Sequence, residues 1–241
     1  MPVNRLVLEV PVFDPSAALK AADYGADRLE LCSSYFEGGL TPGPGVFSYL
    51  KLRIAIPIFV MIRPRAGDFV SSNEEIEVMK EEMDLFSSLG ADGFVFGILK
   101  EDGSVHKRAS GLLVERAGNK PCTFHRAFDV SSDLNQSLED IIDCGFQRIL
   151  TSGGKKHVEA GLPKIKELMV QAGNRITIMP GGGMEPNLIP ALRTTGYLRD
   201  VHASCKKRLQ TKGPSINDEN IHSGVLLSVS REKVNRFKDF F

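Results

Sequence analysis

Residues 24–32, YGADRLELC, decide the fold of this chain. A helix-like segment ends there at a glycine, a short polar step follows, and a largely apolar run begins. Glycine is expected just past the C-terminus of a helix, because it adopts the left-handed conformation without strain. The same phrase recurs at residues 89–97 (LGADGFVFG), 144–150 (CGFQRIL) and 172–180 (AGNRITIMP). The chain is therefore predicted to repeat a unit of helix, stop and strand.

Eight strands are predicted along the 241 residues, and each is followed by a helix-like segment. Their starts are roughly 20 to 36 residues apart, which is the spacing of βα units. The rival is an open, doubly wound sheet, which would carry a GxGxxG-type phosphate loop after its first strand; residues 9–18 read EVPVFDPSAA instead. We predict an α/β fold, a single (β/α)8 TIM barrel over residues 1–241, with strands near residues 6–10, 28–32, 57–62, 93–98, 122–125, 148–150, 176–179 and 200–203.

Helix starts and the longest polar loop can also be assigned. Ser72 and Glu75 form a capping box before a run of apolar residues at helical spacing. Asp14 and Ser230 precede two further helix-like segments and are predicted N-caps. Residues 206–220, KKRLQTKGPSINDEN, form a long polar loop, and no composition break divides the chain. We therefore predict one domain.

The charge balance argues against several classes of partner. The chain has 30 Lys and Arg residues against 30 Asp and Glu residues, so no global basic field is available to hold nucleic acid or an anionic membrane. The sequence has no basic segment followed by an apolar run at its start, and no stretch approaches the roughly 20 apolar residues of a membrane span. Its four cysteines lack a CxxC pair, which favours reduced thiols. We expect a cytoplasmic protein, and nothing indicates a nucleotide cofactor.

In a (β/α)8 barrel the chemistry takes place at the C-terminal ends of the strands. Residues 123–129, TFHRAFD, place three ionisable side chains at such an end. A carboxylate or imidazole in a partly dry barrel mouth can titrate near neutrality, where proton transfer is efficient. The alternative is that pairs such as Asp129 with Arg126, or Glu30 with Arg63, are salt bridges that only order the loops. The candidate catalytic residues are Glu9, Glu30, His125, Asp129 and His202.

Glycine-rich turns follow the sixth and seventh predicted strands, at TSGGKK and PGGGM. Such turns let backbone N–H groups approach an anion closely, and many barrels bind phosphate on their late loops. Arginines at neighbouring strand ends would add charge-assisted hydrogen bonds. The alternative is that each glycine run is a tight turn without a ligand. The candidate anion-binding residues are Arg63, Arg65, Arg126, Ser152, Gly153, Gly182 and Gly183.

Metal binding would depend on the sulfur-containing side chains. Cu(I) is soft and selects thiolate and thioether ligands. Cys32 lies at the C-terminal end of the second strand, and Cys205 follows the eighth strand, which lies close to it in a closed barrel. Met61 is a third candidate ligand. The alternative is that Cys32 is simply a small buried hydrophobic residue.

Several of these segments resemble the CutC family of copper homeostasis proteins. They are GADRLELC (25–32), EGGLTPGPGVF (37–47), IRPRAGDF (62–69), TFHRAFD (123–129), LTSGG (150–154) and MPGGGM (179–184). The resemblance covers most of the chain. It implies a cytoplasmic (β/α)8 barrel, often a homo-oligomer, that is associated with copper tolerance and binds Cu(I) through cysteines near the first two strands. Cys32 matches the second of these cysteines, whereas Pro11 stands at the place of the first.

Two functional hypotheses follow. The first, favoured by the resemblance, is Cu(I) handling through Cys32 together with Cys205, Met61 or a second subunit. The second is an enzyme that transfers protons, in lyase or isomerase chemistry, on a small phosphorylated or carboxylated metabolite. The expected partners are accordingly a copper ion or a small anionic metabolite, with no nucleic acid and no membrane.

Overall fold

The computed structural model describes residues 5–210 and 225–241. Its main sheet has eight parallel strands in the order β7-β6-β5-β4-β3-β2-β1-β8. The two end strands, β7 and β8, lie side by side, so the sheet forms a nearly closed barrel. Neighbours in the sheet follow chain order without a reversal, which confirms the (β/α)8 barrel and contradicts an open, doubly wound sheet. The strands are β1 Val7–Val12, β2 Arg28–Leu31, β3 Ile58–Met61, β4 Gly93–Phe96, β5 Cys122–Phe124, β6 Arg148–Thr151, β7 Thr177–Pro180 and β8 Asp200–His202.

Helices alternate with these strands and begin where the sequence predicts. The side chains of Asp14 and Ser72 accept hydrogen bonds from backbone N–H groups of the first helical turn, and Ser72 and Glu75 form the reciprocal capping box. Ser230 caps the last helix in the same way. The helices are α1 Pro15–Asp23, α2 Pro44–Lys51, α3 Asn73–Ser88, α4 Lys107–Ala117, α5 Leu134–Asp143, α6 Val158–Ala172, α7 Ile189–Arg193 and α8 Arg231–Lys238.

The main apolar core lies between the barrel and its helices. Phe47 of α2 and Phe86 of α3 pack edge to face, with ring centroids 5.4 Å apart. Phe96 and Phe124, on neighbouring strands, both contact Phe146. These aromatic residues are almost fully buried and fix the helices against the outer face of the sheet. The inner face is free to carry a different set of side chains.

A short ribbon follows the barrel. β9 (Lys206–Gln210) pairs antiparallel with β10 (Val225–Val229). The prediction of a loop over residues 206–220 is therefore wrong for Lys206–Gln210, and its remainder lies outside the described residues. Within the described part of the chain, no helix is both long and apolar enough to cross a membrane. The assignment of residues 1–241 to one domain stays a prediction.

Candidate functional site

The strand register places Glu9 inside the barrel, one layer below its mouth. β1 continues to Val12, beyond the predicted end at residue 10, so Glu9 lies in mid-strand and is fully buried. It pairs in register with Arg28 on β2 and with His202 on β8. Arg28 Nε–H donates to Glu9 Oε2 at 2.5 Å, and His202 Nδ1–H donates to Glu9 Oε1 at 2.9 Å. Glu9 therefore fixes the positions of the Arg28 and His202 side chains.

Arg28 links Glu9 to a second buried carboxylate at the base of the barrel. Its Nη2–H donates to Asp200 Oδ2 at 2.6 Å, and its guanidinium lies 5.0 Å from the Phe59 ring centroid. Burial alone would raise the pKa of Glu9, but Arg28 and His202 outweigh burial and hold that pKa well below its ordinary value. Glu9 is therefore a permanent anion that fixes the orientation of the His202 ring.

Glu30 lies next to His202 at the floor of the mouth. The Glu30 Oε2 and His202 Nε2 atoms are 3.8 Å apart, and Glu30 Oε1 is buried without a hydrogen-bond partner. Burial raises the pKa of Glu30 to about 7, although the nearby His202 opposes the shift. For His202, burial lowers the pKa, but the carboxylates of Glu30 and Glu9 outweigh it and leave a raised pKa. Glu30 and His202 are therefore two titratable groups placed side by side at the floor of the mouth.

Glu9, Glu30 and His202 also have the composition of a cation site. One ligand atom from each lies within 4.8 Å of the others. Both oxygens of Glu9 already accept hydrogen bonds, however, and Arg28 supplies the balancing positive charge. The arrangement fits an acid–base group better than a divalent cation site.

His125 at the end of β5 is a second buried imidazole. Its Nδ1 accepts a hydrogen bond from the Ala127 N–H at 3.2 Å, so the neutral ring carries its proton on Nε2. Burial, aided by the positive charge of Arg63, lowers the pKa of His125 to about 3. The side chain is thus a neutral hydrogen-bond donor and not the proton acceptor that the sequence suggests.

We expect the His125 ring to remain neutral from pH 5 to pH 8. Its folded pKa lies below the ordinary value of 6.5, so only the unfolded chain takes up a proton as the pH falls through 6.5, and stability falls with it. The contribution between pH 7 and pH 5 is about 2 kcal/mol. Ring-nitrogen NMR spectra should show a pH-independent Nε2–H tautomer for His125, and His202 in the same spectra should titrate with a raised pKa. Titration of His125 between pH 5 and 8 would contradict this assignment.

The two candidate arginines after β3 have different positions. Arg63 is buried, donates to the carbonyl oxygens of Glu37, Gly39 and Gly67, and keeps Nε without a partner. Arg65 is exposed and donates hydrogen bonds to the side chains of Asp68 and Glu75. Arg63 lines the barrel mouth, whereas Arg65 does not.

Asp129 organises the loops after β5 and β6. It accepts hydrogen bonds from the backbone N–H groups of Ser152 and Gly154 and from the Thr151 hydroxyl. Arg126 Nε–H donates to Asp129 Oδ2 at 2.8 Å, with only 5% of the Asp129 side chain exposed. The structure therefore shows the Arg126–Asp129 salt bridge that the sequence offers as the alternative to a catalytic role. Asp129, Ser152 and Gly153 shape the loop and do not line the mouth.

The mouth itself encloses a cavity of about 660 Å³. Its floor carries Glu30, His202, His125 and Arg63, and one wall is the turn at Gly182 and Gly183. Arg126 reaches the cavity beside this turn. The structure therefore brings eight of the candidate catalytic, anion-binding and metal-binding cysteine residues to one cavity, including Cys205. It leaves six outside the cavity: Glu9, Cys32, Arg65, Asp129, Ser152 and Gly153.

Sulfur side chains meet at one side of the mouth. Cys32 and Met61 share a buried cluster with Phe59 and Val95. A Cβ atom at Gly39 would lie 3.3 Å from Cys32 Sγ and 3.5 Å from Met61 Cε, so both side chains contact the same glycine. Burial and the neighbouring Glu30 raise the pKa of the Cys32 thiol well above its usual range. Cys205 is buried in the larger core and does not join this cluster.

Several residues of the site are absent from the sequence-based prediction. Arg28 is one, although it shares strand parity with Glu30 and Cys32, which could have placed it inside the barrel. His157 is another: it is exposed, as the sequence suggests, but its ring also lies against Gly183 and lines the cavity. Three cations of the rim, Lys206, Lys233 and Arg236, are also absent from the prediction, and Lys156, in the segment TSGGKK, is only a weak candidate in the sequence.

Comparison with known proteins gives a consistent result. A model of the CutC family matches residues 6–207. The human copper homeostasis protein cutC homolog is 43% identical over 227 residues, covering 94% of this chain and 83% of the human one. A CutC family protein of Xanthomonas campestris pv. campestris (strain 8004) is 44% identical over 199 residues, 83% of each chain. The crystal structure of CutC from Streptococcus agalactiae, 29% identical, gives a TM-score of 0.77 and covers 83% of this chain and 99% of the other. The chain belongs to the CutC family.

Proposed function

We propose that this protein is a copper homeostasis protein that binds Cu(I) as its cargo. Family membership supports this function, since the human and mouse relatives both carry the name copper homeostasis protein cutC homolog. The observation that carries the proposal is the packing of Cys32 and Met61 together against Gly39. A thiolate and a thioether are the soft ligands that Cu(I) prefers.

The donor set fits Cu(I) without the cysteine that the family resemblance places at position 11. Pro11 offers no ligand atom, and Met61 supplies the second sulfur instead. The Cys32 thiol must lose its proton when the metal binds, because the thiolate is the ligand. Glu30, two residues away on the same inner face of β2, is a nearby acceptor for that proton.

The compartment and the assembly belong to the same proposal. All four cysteines are free thiols, which supports a reducing compartment such as the cytoplasm. A homo-oligomer, implied by the family resemblance, stays a prediction.

Titration of the reduced protein with Cu(I) against a competing chelator tests this function. We expect Cys32→Ser and Met61→Leu each to weaken binding, the former by about 100-fold or more, because even residues that only support a metal ligand contribute about 10–100-fold in affinity. Cys144→Ser is the matched control, since this half-buried thiol lies at the end of α5, away from the mouth. Equal affinity in Cys32→Ser and wild type would reject the site.

A further inference from the structure

The cavity at the barrel mouth has a charge pattern that copper binding does not use. Its volume of about 660 Å³ is in the range of small-molecule sites. Met61 lines it, but Cys32 does not. Among the described residues that line the cavity, the Lys and Arg side chains are Arg63, Arg126, Lys156, Lys206, Lys233 and Arg236. They face only two carboxylates, Glu30 and Glu185, although the whole chain has no net charge. This concentration of cations favours an anionic ligand.

Within the part of the chain that the structure describes, the cations at the rim have no carboxylate partner. Lys156, Lys206, Lys233 and Arg236 are exposed, and none forms an ion pair with a carboxylate in the described ranges. Lys206 instead donates to the Tyr35 hydroxyl, and Lys233 donates to the Lys206 carbonyl oxygen. Their charge is therefore available to a ligand that enters the mouth.

The floor of the cavity carries a hydrogen-bond acceptor and a hydrogen-bond donor that lack a partner among the described residues. Glu30 Oε1 is an acceptor and Arg63 Nε–H is a donor, and both are buried without a partner. Only 4% of Glu30 and 8% of Arg63 is exposed, so water cannot freely compensate, and each such group destabilises the site until a ligand supplies its partner. His125 Nε2–H is a third polar group here, with no acceptor among the described residues. These groups match a ligand end that carries hydroxyl or carbonyl oxygens.

The glycine turn after β7 forms the wall between rim and floor. Gly182 and Gly183 have φ values of +94° and +72°, a conformation that favours glycine. A Cβ atom at Gly182 would lie 3.0 Å from the Arg126 Cζ, and one at Gly183 would lie 2.7 Å from the His157 Nδ1. Because both residues are glycine, two basic side chains pack directly on the backbone of the turn. Backbone N–H groups combined with cations are the usual means of holding a phosphate at late barrel loops.

We propose that the barrel mouth binds a small phosphorylated metabolite end-on. Its phosphate contacts the turn at Gly182 and Gly183, Arg126 and the rim cations, and its oxygen-bearing end contacts Glu30, Arg63 and His125. The proposal uses none of the sulfur ligands. It shares only Glu30 with the proposed copper site, where Glu30 accepts the Cys32 proton, and the probes below contain no copper.

Glycerol 3-phosphate is a suitable probe, since it carries a phosphate at one end and hydroxyl groups at the other. We expect titration of isotope-labelled protein to move the amide NMR signals of Gly182 and Gly183 and the ring signals of His125 to saturation. Inorganic phosphate should move the glycine signals only, with weaker affinity. Glycerol, without a phosphate, should move none of them at the same concentrations.

The double variant Lys156→Gln/Arg236→Gln tests the rim without disturbing the fold, because both side chains are exposed and form no ion pair with another described residue. We expect it to weaken glycerol 3-phosphate binding by at least about fivefold. Lys100→Gln/Arg108→Gln is the matched control, with the same charge change at exposed positions that do not line the cavity; it should leave the affinity unchanged. Absence of glycine shifts throughout the titration, or equal loss of affinity in both double variants, would overturn the proposal. Equal affinity for inorganic phosphate would overturn the contact with the floor.

Discussion

Replacement of Arg28 by methionine is expected to destabilise the protein by about 3–5 kcal/mol, because it leaves buried carboxylates without their counter-ion. Arg28 binds Glu9 and Asp200 at the same time, and only 8% of its side chain is exposed. Methionine has a similar length and fits an apolar site, so the loss measures the missing charge more than a missing volume. Urea unfolding at pH 7 gives the free energy of unfolding directly.

The loss of stability caused by Arg28→Met should be larger at neutral pH than at acidic pH. The folded pKa of Glu9 lies far below its ordinary value of 4.5, so its ion pairs contribute stability above pH 4.5 that is lost as the pH falls. In the variant this contribution is missing at every pH. The difference between variant and wild type should therefore be largest above about pH 5 and shrink towards pH 4.

An exposed ion pair provides the comparison for Arg28. Arg116 Nε–H donates to Asp84 Oδ1 at 2.7 Å, but both side chains are 46% exposed. Arg116→Met should cost much less stability than Arg28→Met, because water and ions screen such exposed pairs. Equal losses in the two variants would mean that the buried network contributes no more than a surface pair.

Most of the fold follows from the sequence because its signals are local. The helices before β2, β4, β6 and β7 end at a glycine, because glycine adopts the left-handed conformation there without strain. All four strands form where they are predicted. The N-caps are equally local. Closure of the sheet then follows from the number of βα units.

Pro11 explains why the depth of Glu9 was not predicted. A proline usually marks the end of a strand, because it cannot donate a hydrogen bond to the ladder. β8 pairs only with Val7, Leu8 and Glu9, so on that side Pro11 has no partner to lose. β1 therefore continues through the proline to Val12, and Glu9 lies below the mouth.

The division of the mouth into floor and rim depends on packing that no single segment encodes. Lys233 and Arg236 belong to α8, which reaches the barrel mouth only in the folded chain. Asp129 lies in the predicted polar cluster with Arg126, but its other hydrogen-bond donors lie at the end of β6 and in the turn after it. Sequence parity identifies which residues face inward, whereas their partners across the barrel come from the three-dimensional structure alone.

Gly161→Ala is expected to reduce the free energy of unfolding by about 3 kcal/mol or more. Gly161 lies in α6, where the helix rests directly on the turn that follows β6. A Cβ atom at this position would lie 1.8 Å from the Ser152 carbonyl oxygen and 3.1 Å from the Gly153 Cα. Both atoms belong to the backbone, so no side-chain rotation can relieve the overlap, and α6 must move away from the barrel.

Gly111→Ala is the control that measures the effect of helix propensity alone, without a steric overlap. Gly111 lies within α4, and a Cβ atom there meets nothing within 4 Å. This variant should gain about 0.5–1 kcal/mol, because alanine loses less conformational freedom than glycine in a helix. Urea unfolding should therefore give changes of opposite sign in the free energy of unfolding of the two variants.

The same pair of variants should differ at the barrel mouth. The Ser152–Gly154 turn binds Asp129, which in turn binds Arg126 beside the Gly182 turn. Gly161→Ala should therefore also move the NMR signals of the Gly182 turn, whereas Gly111→Ala should leave them in place. A stabilised Gly161→Ala would show that α6 does not need this close approach.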